Sequence, residues 1–239
     1  MKEHLGVVGD SFTCINQHWK PEDHFSYQLA QHLNMPISCL GRGGADMLYI
    51  HTQMKYAIEQ LDVTHLVIWC TSPDRFLFPI KGGNPYEDDY VPNGPLTANK
   101  VQNKPCMDEV PYEYSDYDPR FVSDHASAID WRHTSGLKQW REAYSKYILH
   151  LYDPAIQDYN KQIIIENMYY YCDKNKVKTV IVDMYPGSID VKPSEFVTYL
   201  SNIPVNLSPF DADGNNCDSP NHMTKPGHTA LAEYLKTQF

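Results

Sequence analysis

A serine hydroxyl attacks a carbonyl only when a nearby base takes its proton, and this chain carries the parts for that chemistry near its two ends. Ser11 stands in Gly9-Asp10-Ser11-Phe12-Thr13, directly after the apolar run Leu5-Gly6-Val7-Val8. Near the other end, Asp218-Ser219-Pro220-Asn221-His222 supplies a carboxylate and an imidazole close together. Ser11 is thus the candidate nucleophile, His222 the base and Asp218 the acid that orients the ring. Each has an ordinary alternative. Ser11 could cap a helix, His222 could be a surface loop histidine, and His228 competes as base, although it is expected inside the first turn of a final helix.

A tetrahedral oxyanion also needs donors. Gly41-Arg42-Gly43-Gly44-Ala45-Asp46 is a glycine-rich strand-to-helix turn whose N–H groups can converge on an anion, or a tight turn that merely needs positive φ. It lacks the third glycine of a dinucleotide fingerprint. A second polar cluster follows another apolar run, in Trp69-Cys70-Thr71-Ser72-Pro73-Asp74-Arg75-Phe76. Thr71 and Ser72 are candidate oxyanion donors alongside the N–H groups of Ser11 and Gly44. Asp10, Gly43 and Arg75 are candidate substrate contacts, with an ion pair to Asp74 or Asp46 as the alternative for Arg75.

The elements that must position these residues alternate. Leu5–Val8, Pro36–Leu40 and Val63–Cys70 read as strands, and Glu22–Leu33 and Asp46–Leu61 as helices whose apolar residues recur every three or four positions. Such a βαβαβ series predicts a parallel sheet, with all the polar turns above at its carboxyl edge. Leu137–Leu151 and Ala155–Lys174 read as helices, Lys178–Met184 as a fourth strand and Ile203–Leu207 as a fifth. Thr224 is expected to cap a last helix with Pro226 in its first turn and Leu231, Tyr234 and Leu235 facing inward. From about 78 to 135 the periodicity gives way to Pro, Tyr, Asp and Asn, which predicts an inserted loop or cap.

The 239 residues suit one α/β domain with a sizeable core. A net charge of −10, with twenty Lys and Arg scattered among thirty acids, speaks against nucleic acid as a partner. Apolar runs are strand-sized, so no membrane span is expected, and no signal peptide is visible, which predicts a cytoplasmic protein. The six cysteines form no C-x-x-C pair and read as free thiols, with Cys39 and Cys70 acting as small hydrophobes at strand ends. The eleven histidines include no H-x-x-x-H pair, so no metal is expected, and His18, His24 and His32 read as exposed. No G-x-S-x-G elbow, Walker loop or cofactor fingerprint is present.

With GDS after the first strand, a glycine turn after the second, a polar turn after the third and a D…H…G-H element before the last helix, the chain resembles the SGNH (GDSL-like) hydrolases. The resemblance covers everything but the insertion. It implies a flavodoxin-like three-layer α/β/α sandwich on a five-stranded parallel sheet in order 2-1-3-4-5. It also implies Ser11 as nucleophile, Gly44 (or Gly43) as an oxyanion donor, and His222 as base. The chain departs from the family in two places. Pro73 falls where the family has an Asn donor, which leaves Thr71, Ser72 or Arg75 to replace it. Ser219 sits three residues before His222, where the family has its Asp, and the nearest acid is Asp218.

The expected activity is hydrolysis of a small acyl ester, an acetyl group above all, with no cofactor. Tyr86, Tyr90, Tyr112, Tyr114, Tyr117 and Trp131 in the insertion offer flat surfaces for a carbohydrate. Two other readings use the same residues. An O-acyltransferase would resolve acyl-Ser11 with a sugar hydroxyl, and a binding module would keep the fold without the chemistry.

Overall fold

The computed structural model describes residues 3–14, 20–41, 45–73, 150–184, 189, 191–201, 203–204 and 223–239, and the backbone of 75–79 and 121–125. Its centre is a sheet of β1 (Leu5–Val8), β2 (Ile37–Cys39), β3 (His65–Cys70), β6 (Lys178–Asp183) and β7 (Val197–Leu200). These strands are all parallel, in the order β2-β1-β3-β6-β7. β1 and β3 are buried along their whole length, which is why they read as unbroken apolar runs rather than alternating ones.

The pleat sends successive side chains to opposite faces. Leu5, Val7, Val67, Trp69, Val180 and Val182 meet Phe25 and Leu29 of α1 (Phe25–Leu33) and Leu231 and Leu235 of the last helix, α4 (Lys225–Lys236). Val8, Leu66, Ile68, Cys70 and Ile181 meet Ile50 and Met54 of α2 (Met47–Gln60) and Ile165 and Met168 of α3 (Pro154–Lys174). The result is three layers, with α1 and α4 on one side and α2 and α3 on the other. No described helix is long and apolar enough to cross a membrane.

Side-chain caps set the helix starts. Asp46 accepts from Tyr49 N at 2.8 Å, Asp153 from Ala155 N at 2.9 Å just ahead of Pro154, and Thr224 from Gly227 N at 3.3 Å. The expected helix from Glu22 is broken. A 3-10 turn over Pro21–Asp23 ends at His24, which is extended and caps α1.

Three expectations are corrected. The fifth strand is Val197–Leu200, where Val197-Thr198-Tyr199-Leu200 combines β-branched and aromatic residues. Ile203 is buried in the core without being a strand, and Pro204 beside it has no N–H to give a ladder. The span expected to be irregular also holds strands at its edges: β4 (Arg75–Pro79) pairs antiparallel with β5 (Phe121–His125), Pro79 facing Phe121. The helix expected over 137–151 lies outside the described residues except for its last two.

The third correction concerns His24, which is 1% exposed rather than a surface residue. Its ring lies 4.6 Å from that of His228 in the first turn of α4, and His228 Nδ1 accepts from Phe25 N at 3.3 Å. Burial, then repulsion from His228, holds the His24 ring well below the ordinary histidine pKa, against a hydrogen bond to the Phe12 main chain that favours the charged form. The ring is neutral, as it must be for Nδ1 to accept from Ser26 N and cap α1.

A histidine whose pKa is lower folded than unfolded takes up a proton on unfolding, so its stabilisation is complete above about pH 6.5 and drains away as pH falls below that value. The urea midpoint should therefore drop between pH 7.5 and pH 5.5. In His24→Asn, which keeps a capping side chain, the drop should be smaller. Equal drops in the two proteins would show that the His24 imidazole is not the group responsible.

Candidate active site

Parallel strands bring their carboxyl ends to one edge, and here three neighbouring strands end in polar residues. β1 runs into Gly9-Asp10-Ser11, β3 into Cys70-Thr71-Ser72, and β6 ends on Asp183, which pairs in register with Cys70. After β1 the chain makes one helical turn: the Asp10 carbonyl accepts from Thr13 N and Cys14 N, each at 3.1 Å, and from the Thr13 hydroxyl at 2.9 Å. Ser11 is half-buried on this turn, as are Phe12 and Cys14. Among the described residues no hydrogen bond engages its N–H or its hydroxyl, the two groups a nucleophile at an oxyanion site needs free.

Asp10 fixes the turn. It is 3% exposed, and its carboxylate accepts from Phe12 N at 3.0 Å and from the Thr71 hydroxyl at 2.7 Å. Asp10 thereby ties the turn after β1 to the turn after β3. The bond also changes the reading of Thr71, since a hydroxyl has one proton to donate and that proton goes to Asp10. Ser72, 6% exposed, follows it. Arg75 lies in β4 opposite His125.

Two glycines allow the turns to pack. Gly9 has φ +153°, and a Cβ there would come within 2.8 Å of both Thr13 Oγ1 and Trp69 Cβ. Its N–H donates to buried Gln53 Oε1 of α2 at 2.9 Å. At Gly41 a Cβ would stand 2.5 Å from the Thr13 carbonyl carbon and 2.6 Å from its oxygen. The glycine turn after β2 thus starts in backbone contact with the serine turn, and Cys39 Sγ lies 3.1 Å from the same oxygen. Gly43, Gly44, Asp218 and His222 lie outside the described residues. His228 is described, and its ring is taken up by His24 and Phe25.

Beneath this edge is a cluster that reading the sequence missed. Lys161 Nζ of α3 lies 2.6 Å from Asp183 Oδ1, with side chains 3% and 0% exposed, and the Tyr199 hydroxyl donates to Asp183 Oδ2 at 2.9 Å. The signal was present: Lys161 falls on the inward stripe with Ile165, Met168 and Cys172, and Asp183 closes an apolar strand at the functional edge. Burial, then the Asp183 carboxylate, pushes the Tyr199 hydroxyl well up, so it stays a donor. The same two causes raise the Cys70 thiol well above its usual range, which keeps it neutral and unfit as a nucleophile. Among the described residues no three His, Cys, Asp or Glu side chains are grouped to hold a metal ion.

Neither any protein-family model nor any curated protein sequence matches the chain. Among solved structures it is similar to a "putative lipolytic protein of G-D-S-L family" from Desulfitobacterium hafniense DCB-2, at 10% identity over 100% of both chains with a TM-score of 0.44.

Removing one member of a buried ion pair strands the other charge, at a cost of about 3–5 kcal/mol, whereas replacing both with apolar groups is often neutral. Lys161→Met and Asp183→Leu should each destabilise the fold by roughly that amount in urea titration, and the double variant should recover most of the loss. Additive losses would mean that the pair does not act as a unit.

Proposed function

We propose that this chain is a serine esterase of the SGNH (GDSL-like) type. In this reading it hydrolyses a small acyl ester, an acetyl group on a carbohydrate by preference, through acyl-Ser11. The observation that carries the proposal is the placement of Ser11: half-buried on one helical turn at the carboxyl end of β1, with Asp10 turned inward to hold that turn. The carbohydrate part of this reading comes from the sequence alone, from Tyr86, Tyr90, Tyr112, Tyr114, Tyr117 and Trp131, which lie outside the described residues.

Ser11 Oγ attacks the ester carbonyl while His222 Nε2 takes its proton and Asp218 orients the ring. The oxyanion is held by the N–H groups of Ser11 and Gly44. His222 then gives the proton to the departing alcohol oxygen, leaving acyl-Ser11; a water deprotonated by His222 attacks the acyl carbon, and as the bond to Ser11 Oγ breaks His222 returns the proton to that oxygen and the acid is released. With Pro73 in place of a donor and the Thr71 proton on Asp10, Ser72 or Arg75 is left to supply a third contact. One such donor is worth roughly 10²–10³ in kcat.

A fluorophosphonate probe should label the protein once, at Ser11, and Ser11→Ala should neither label nor hydrolyse p-nitrophenyl acetate while keeping its circular dichroism. His222→Ala should lose on the order of 10⁴ in kcat at unchanged stability. His228→Ala should instead lose stability, because its ring fills the contact between α1 and α4. Labelling that persists in Ser11→Ala would end the esterase reading, and an inactive, stable His228→Ala beside an active His222→Ala would reassign the base.

A further inference from the structure

The helix α3 is apolar on two opposite faces. One face carries Lys161, Ile165, Met168, Tyr169 and Cys172, all at most 3% exposed against the sheet. The other carries Ile156, Tyr159, Ile163 and Tyr170 at 54%, 62%, 46% and 48% exposure. Steps of three, four and seven residues put these four on a single stripe. Scattered exposed apolar residues are normal on a surface, whereas a stripe of large ones along one helix marks a surface that binds something.

We propose that this stripe is the contact between two copies of the chain, which pair α3 against α3 in antiparallel fashion about a two-fold axis at Ile163. The helix has the symmetry such a contact demands, because an isologous interface must be complementary to itself. Ile163 stands near the middle of Pro154–Lys174, and Ile156 and Tyr170 lie two turns to either side of it. In the antiparallel arrangement each Ile156 therefore meets the Tyr170 of the other copy, and the two Ile163 side chains meet at the axis.

The charges agree with this direction. Exposed Asp153 stands at the amino end of α3, and exposed Lys174 and Lys176 at its carboxyl end. Antiparallel pairing sets the acidic end of each helix beside the basic end of the other and opposes the two helix dipoles, whereas parallel pairing would set like charges together. α2 widens the surface beside α3. His51 Nε2 lies 2.9 Å from Asn167 Oδ1, and Leu48, 42% exposed, is one turn from His51. The pairing uses none of the residues given a role in the esterase reading and is independent of it.

Light scattering on the full chain should give twice the mass of one chain at tens of micromolar. Ile163→Glu, which places two carboxylates at the axis, should give the mass of one chain with unchanged circular dichroism. A cysteine at the axis faces the same residue of the other copy, so Ile163→Cys should form a disulfide-linked dimer under mild oxidation. Ile156→Cys alone should not, and the combination of Ile156→Cys with Tyr170→Cys should. A single-chain mass for the native protein at high concentration would overturn the proposal, as would a dimer that survives Ile163→Glu. Cross-linking of Ile156→Cys on its own would overturn the antiparallel register.

Discussion

The carboxylate of Asp10 is the group on which the rest of the serine turn depends. Buried among apolar layers, an ionised acid is tolerable only if its oxygens find donors. Both find them in the protein, one in the Phe12 N–H of its own turn and one in the Thr71 hydroxyl after β3. Hydrogen bonds to a charged group are worth about 1.5–3 kcal/mol each, enough to hold a single turn. The first bond closes the turn across Ser11, and the second fixes that turn to its neighbour. The neighbours then have no freedom. β1 must lie beside β3, residue 9 must tolerate φ +153°, and residue 41 must be without a Cβ.

The sheet edge buries a second acid, Asp183, and resolves it differently. Where Asp10 is satisfied by neutral donors, Asp183 is paired with the buried ammonium of Lys161 and with the Tyr199 hydroxyl. Cys70 stands between the two acids in the field of both, and its raised pKa records that field. A nucleophile that must lose a proton cannot work at such a place unaided. Ser11, one strand over, is half-buried. The edge thus separates a buried acidic interior, which holds the strands in place, from the outer turn where a hydroxyl is presented.

Much of the fold was legible because it rests on periodicity. The apolar runs of β1, β3 and β6 and the helical stripes of α1 and α2 are consequences of burial on a two-sided sheet, and they appear in the sequence as such. What was missed obeys longer-range rules. His24 looked like any polar residue near a helix start until α4 folded back to cover it. Lys161 did not stand out among the twenty Lys and Arg, although it lies on the inward stripe of α3. The fifth strand was misplaced because Ile203 is as buried as a strand residue would be, and burial alone does not tell a strand from a packed turn. In the same way, Thr71 and Asp10 were visible as polar residues at one edge, but which of them meets a ligand is decided by which meets the other.

The long insertion follows from the same geometry. β4 leaves the turn after Thr71-Ser72, and its register with β5 sets Pro79 beside Phe121, so the chain between them begins and ends at one point. Closing a loop of that length costs entropy that grows only slowly with the number of residues, and an antiparallel pair of strands fixes its ends together. Inserted anywhere inside the sheet, such a segment would separate strands that must pair. Inserted after β3, it leaves the five-stranded order intact and enters beside Ser72, one turn away from the Thr71 hydroxyl that holds the serine turn. The part of the chain with the weakest periodicity is therefore anchored at the carboxyl edge of the sheet, where added length does not alter how the core is built.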